Sequence, residues 1–369
     1  MSFRLHSFGI AVLVIAGLTA PLGAQPIITE VGPAPGSLSG SLIALSADGT
    51  AATGEAYTGT GTNAYRWTRS GGIQNIGSLP GGANGSGAGI SADGSVIAGT
   101  EFTGGARGFR WTSATGPVNI GLLPGGPGGC VTAGISGDGS VIVGLAGSAD
   151  GPRAFRWTAG SGLQSLGTLP GGVRSEALAI STDASAVAGV SDSSGGDRAF
   201  RWTSAGSMQD LGVLSGGSSS LAFAISGDGS TVTGSGDSAL GTRAFRWTGG
   251  GAMQSLDILS GYDFSEGYGV SGNGRAIVGS CGGPTGSAAF FWTPELGMVD
   301  LNTYLPALGL DLTGWTLDLA RGISADGSVV AGDGSFNGEP RSFVITGIPA
   351  PGATVLLALG GLSAGLRRR

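Results

Sequence analysis

From residue 27 to residue 346 the chain alternates short apolar runs with polar, glycine-rich steps, and the alternation repeats. An Asp-Gly step or near equivalent recurs at Asp48, Asp93, Asp138, Asp183, Asp228, Asn273 and Asp326, 45 residues apart except for a last interval of 53. After each turn comes an aromatic string, holding Trp67, Trp111, Trp157, Trp202, Trp247 and Trp292, with Ile345 in the seventh place. In the fourth unit, ALAIS (177–181) predicts a first strand and AVAGVS (186–191) a second, joined by a turn at Asp183. RAFRWT (198–203) predicts a third and MQDLGVL (208–214) a fourth, before a Gly-Gly step opens the next unit. Short strand-like runs separated by Asp-Gly are hairpin signals. Four strands per unit of about 45 residues is the period of a propeller blade. The expected fold class is therefore all-β, a seven-bladed β-propeller.

The seventh unit is incomplete, because RSFVIT (341–346) is followed by no fourth strand. At the other end, IITEVG (27–32) places Gly32 16 residues before Asp48, as Gly77 precedes Asp93 and Gly167 precedes Asp183. The N-terminal strand is expected to complete the last blade beside residues 341–346 and close the ring. Closure also removes exposed edges that template aggregation.

Within RAFRWT, strand alternation puts Arg198, Phe200 and Trp202 on one side and Ala199, Arg201 and Thr203 on the other. Blades stack face to face, so the aromatics read as core and Arg201 needs a partner. The turn Asp at the same edge is the candidate, which predicts a structural ladder pairing Asp183 with Arg201 and Asp228 with Arg246. Eight extra residues between blades six and seven bring Tyr304, Leu305, Leu308, Leu310 and Trp315. They either cap the base of a blade or offer a ligand or partner patch.

Composition narrows the chemistry. Glycine supplies 77 of 369 residues, which at a fixed period means tight turns rather than low complexity. The net charge is −6 and lysine is absent, which argues against nucleic acid, where clustered positive charge must neutralise phosphates. The one histidine is His6, so a mature chain without its leader has none for a Ser-His-Asp or Cys-His unit or a His metal site. One carboxylate per turn falls far short of the roughly six to eight oxygens calcium takes. The acids that break the repeat, Glu101, Glu176, Asp237, Asp263, Glu266, Glu295, Asp311 and Glu339, are spread over several blades with no evident acid–base pair. No catalytic residue, metal or cofactor is expected. Cys130 and Cys281 fall in blades three and six, nearly opposite and beyond the roughly 7 Å reach of a disulfide.

The two ends read as addresses. Residues 1–24 have Arg4 and His6 before an apolar run and small residues near Ala24, the pattern of a signal peptide. Residues 25–348 form the propeller, and residues 349–369 a tail with Pro349, Ala350 and Pro351, an apolar stretch, and Arg367, Arg368 and Arg369. That stretch is shorter than the roughly 20 residues of a stable span, and its basic end would stay on the cytoplasmic side. The tail resembles the PEP-CTERM sorting signal, with Ala350 where that family has Glu. The resemblance implies a sorting protease of exosortase type as partner and membrane contact that is at least transient. The repeat resembles the HAF family of extracellular repeats, through Arg-Ala-Phe at 153–155, 198–200 and 243–245, Leu-Gly-x-Leu-Pro-Gly-Gly at 166–172 and Ile-Ser-x-Asp-Gly-Ser at 90–95. The family's His is replaced in every copy, and the likeness implies an exported repeat protein without an established activity.

Together these expectations describe an exported, non-enzymatic propeller. It is anchored in the membrane at first, and then serves as a binding or structural protein at the cell surface or in the matrix. Polysaccharide or another surface protein is the expected partner. The alternative is a secreted carbohydrate-active hydrolase or lyase using carboxylates at the propeller mouth.

Overall fold

The computed structural model describes residues 25–32, 36–126 and 128–349. They form seven antiparallel four-stranded sheets, arranged as a seven-bladed β-propeller. Blades are numbered here from the unit of Asp48, and strands within each from the channel outward. In blade 4 the strands are Ser175–Ile180, Ala186–Ser193, Gly196–Thr203 and Ser207–Asp210. The outer strand stops at Asp210, short of the MQDLGVL run, because Leu211 and Leu214 leave the sheet to pack against blade 5.

The last blade is composed as the spacing predicts. Ile27–Val31 pairs antiparallel with Glu339–Thr346, Ile28 opposite Ile345 and Val31 opposite Ser342. The Ile348 N–H donates to the Ser328 carbonyl at 3.1 Å, and Ile27 lies opposite Thr346. Both ends of the described chain therefore leave at the ring edge that carries the Asp turns.

The core is divided among the seven interfaces between blades. Between blades 3 and 4, Val143 and Ala154 meet Ala177, Val187 and Phe200; between blades 4 and 5, Ala186, Ala188 and Ala199 meet Val232, Phe245 and Trp247. Phe200 and Ala199 are both fully buried, so each third strand is covered on both faces, its aromatics turned to the preceding blade. The insertion between blades 6 and 7 carries the one helix among the described residues, Leu301–Ala307, capped by the Asp300 carboxylate at the Asn302 N–H, 2.8 Å. Leu301, Leu305 and Leu310 are buried with Phe291, Val330, Phe343 and Ile345, and Tyr304 stacks on Phe291. The Asn302 side-chain amide bonds both backbone groups of Leu317, at 2.9 and 2.8 Å, so the helix is tied to the first strand of blade 7. The insertion thus fills the rim between two blades, as the capping alternative requires.

One repeated glycine explains a feature that alternation alone misses. Each second strand has Gly six residues after the turn Asp or Asn, and a Cβ on Gly189 would run into the Glu176 carbonyl oxygen of the first strand. The equivalent clash meets Gly144, Gly234, Gly279 and Gly332. This close approach accompanies a β-bulge in the first strand of all seven blades, between Ala177 and Ala179 in blade 4. A bulge inserts one unpaired residue and re-aims its side chain. Here that residue turns into the central channel.

Candidate functional site

The predicted ladder is not formed. Asp183 and Arg201 do not bond, and neither do Asp228 and Arg246; the arginines reach across to the turn of the following blade. The Arg201 Nε donates to the Gly229 carbonyl at 2.7 Å, Arg66 to Gly94 at 2.6 Å and Arg110 to Gly139 at 3.0 Å. Arg246 makes the same contact with Gly274 at 3.3–3.4 Å, with its guanidinium 6.0 Å from the Trp292 ring. The reason is pleat direction. Arg201 shares a face with Ala199, which packs on blade 5, whereas Asp183 belongs to the turn of its own blade.

The carboxylates are also already occupied. Asp183 accepts from the Ser181 hydroxyl at 2.6 Å and the Ser185 N–H at 2.9 Å, while Ser181 accepts from the Ala186 N–H at 3.0 Å. Asp228 is held alike by Ser226 at 2.7 Å and Ser230 at 2.9 Å. Burial pushes the Asp183 carboxyl up, but these donors outweigh it and hold it below the usual range. At Asp138, donation from Ser136 and Ser140 brings the pKa down to about 2. These bonds commit the turn aspartates to holding their own hairpins.

Just inside the turns, the blades are stitched by backbone hydrogen bonds into a closed ring. Asp48 donates to Ala92, Ala92 to Gly137, Gly137 to Thr182, Asp183 to Gly227, Gly227 to Gly272, Gly272 to Ala325 and Ala325 to Ala47, at 2.8–3.3 Å. Small residues are required here, since a Cβ on Gly272 would sit 3.0 Å from that of Ala325. Above this ring the channel passes a collar of aliphatic side chains that includes Leu45, Ile90, Ile225 and Val270, with a recess of ≈ 130 Å³ on the turn side. On the other side it opens into a recess of ≈ 430 Å³.

The wall of that wider recess is uneven. Blades 1 to 4 contribute Ile43, Ala88, Ala133 and Leu178 at the bulge, while blades 5 to 7 contribute Phe223, Tyr268 and Arg321. Phe223 and Tyr268 stack with ring centroids 5.3 Å apart. The Tyr268 hydroxyl donates to Glu266 at 2.5 Å, and burial together with that bond raises its pKa. The Arg321 Nε donates to Asp333 at 3.1 Å. Asp333 accepts in addition from the Ser41 hydroxyl, the Leu42 N–H and the Ser342 hydroxyl, at 2.9, 3.1 and 2.5 Å. Nearby, Tyr57 donates to Glu55, which pushes its pKa up to about 12. None of Phe223, Tyr268, Arg321 or Asp333 was marked out by sequence. The available signal was the glycine that betrays the bulge, together with the change at the bulge position from small and aliphatic residues to Phe, Tyr and Arg.

The acids that break the repeat are mostly committed elsewhere. Glu101 is fully buried and accepts from the backbone N–H groups of Ala83, Asn84 and Thr103 at 3.0–3.2 Å. Asp237 performs the same office for Ser218 and Ser219, and donation from the Ser218 hydroxyl contributes most to bringing its pKa down to about 2. Glu295 pairs with Arg275, Asp311 caps Thr313 at 2.8 Å, and Asp263 and Glu339 are exposed. Glu176 and Glu266 lie on first strands, as does Asp318 in blade 7, and burial raises the Glu176 and Asp318 carboxyls. Among the described residues no group of three or more His, Cys, Asp or Glu is placed to hold a metal ion. Cys130 and Cys281 are buried free thiols. Of the sorting motif only Pro349 is described; Ala350, Pro351, Arg367, Arg368 and Arg369 lie outside the described residues, as does the signal peptide, 1–24. Among the described residues no helix is long and apolar enough to cross a membrane.

No known protein family matches the chain, and no curated protein does. Solved structures do resemble it. An oligogalacturonate lyase from Vibrio parahaemolyticus is 11% identical with a TM-score of 0.54, over 87% of this chain and 97% of that one. A prolyl endopeptidase structure is 12% identical with a TM-score of 0.53, over 87% of this chain and 47% of that one. TolB from Acinetobacter baumannii is 15% identical with a TM-score of 0.47, over 70% of this chain, which spans 61% of its length. At such identities the likeness extends to the propeller fold alone.

Proposed function

We propose that the chain is an exported, non-enzymatic β-propeller that works by binding, at the cell surface or in the extracellular matrix. Its C-terminal tail is the sorting device, read by a protease of exosortase type, and polysaccharide is its partner. One observation carries this best. Where side chains depart from the repeat, the outlying Glu101 and Asp237 are spent on holding loops, while Phe223, Tyr268 and Arg321 gather on one recess. Aromatic faces with a few placed polar groups are what binding sites are made of. Both ends of the described chain also leave at the turn face, so a tether there would keep the wide recess free.

The second reading, a carbohydrate-active hydrolase or lyase, draws support from Glu176, whose raised, half-buried carboxyl has the character of a general acid. A glycan array probed with the purified exported protein, run beside a hydrolysis and elimination screen on the same sugars, separates the two. The expected outcome is binding without turnover. Turnover that Glu176→Gln abolishes would establish the enzyme instead.

A further inference from the structure

The wide recess has the chemistry of a specific ligand. Its polar lining groups are anchored from outside it, Arg321 by Asp333 and the Tyr268 hydroxyl by Glu266. The terminal amino groups of Arg321 make no hydrogen bond among the described residues. A rigid donor fork therefore shares the recess wall with an aromatic pair. Charged donors give the stronger hydrogen bonds, and adjacent hydroxyls on a ring can accept from both arms of the fork. The body of such a ring has apolar C–H surface to lay on Phe223 and Tyr268.

Charge chooses among rings. Glu266 and Asp333 stand against the single cation Arg321, so the local balance is negative and an acidic sugar is disfavoured. Shape decides how the ring arrives. The recess is walled by all seven blades and meets the aliphatic collar at its base, so it is a pit and not a groove. Its ≈ 430 Å³ lies toward the small end of ligand sites, room for one or two sugar rings.

We infer that this pit binds the terminal residue of a neutral polysaccharide, its ring against Phe223 and Tyr268 and its hydroxyls on Arg321. This rests on the glycan-binding function proposed above and names its site and ligand. The test is calorimetry on the purified exported protein with malto-, cello- and xylotetraose, tetragalacturonate, and a cyclodextrin that has no chain end. Two variants accompany it, each checked by its melting curve: Phe223→Ala removes the platform, and Ala133→Phe fills the pit without touching a polar group. At least one linear neutral tetrasaccharide is expected to bind, at least tenfold more tightly than the uronate or the cyclic sugar. Both variants should weaken it at least tenfold, and if one fails to fold the other still decides. Binding that survives a folded variant would overturn the pit as the site while leaving glycan binding intact. Preference for the uronate or the cyclic sugar would overturn the ligand. No binding in any arm would overturn both.

Discussion

A serine and, two residues on, an aspartate or in blade 6 an asparagine close each blade's inner hairpin, and the same three hydrogen bonds recur around the ring. In blade 5, Ser226 donates to Asp228 at 2.7 Å and accepts from the Thr231 N–H at 2.9 Å, with no exposure to water. Replacing Ser226 with Ala strands a buried N–H, and the expected loss is about 1–3 kcal/mol by chemical denaturation. Blade 6 shows that the charge itself is dispensable there, since Asn273 takes the same bonds from Ser271 and Arg275. Charge does set the acid limit. Asp93, Asp138 and Asp237 have folded pKa values of about 2. An unfolded Asp titrates near ~3.9, so their contribution is complete above that pH and is lost as pH falls toward 2. Melting temperature measured against pH should be level from 7 to 5 and drop between about 4 and 2. The stacking of blades correctly put Phe200 in the core. Alternation misassigned Arg201 because it tells which face a residue takes, not that the face belongs to the neighbouring blade's turn.

At the scale of the strand, the glycine of the second strand and the bulge of the first are one device. A Cβ at Gly189 would meet the Glu176 carbonyl, and that backbone is held in place by its own pairings. Gly189→Ala is therefore expected to destabilise by about 1–3 kcal/mol, with the loss read by urea denaturation. Strands, turns and repeat period were legible because Asp-Gly turns and period-two patterns are local signals. The channel lining was not, since a bulge shifts the register between Ala177 and Ala179 and sends Leu178 where strict alternation would not. The helix Leu301–Ala307 escaped notice for a similar reason. Its seven residues include Pro306, and its stability comes from burying Leu301 and Leu305 rather than from helix propensity.

The whole molecule depends on joining its two ends. Ile27–Val31 supplies the outer strand of a blade whose other strands lie some 300 residues later, and Leu42 bonds Ser342 across |i−j| = 300. The spacing of Gly32 from Asp48 revealed this because a repeat predicts what is missing as well as what is present. The ring of backbone bonds that encircles the channel was hidden, as no side-chain pattern encodes it. Both closures are cooperative: opening either one separates blades and exposes their shared core. Native-state hydrogen exchange on the full chain tests that claim most directly. A closed ring predicts that the amides of Ala92, Gly137, Gly227, Gly272 and Ala325 exchange only through global unfolding, together with the paired amides of Ile27–Val31. Fast exchange confined to Ile27–Val31 and Glu339–Thr346, with the inner ring still protected, would contradict it.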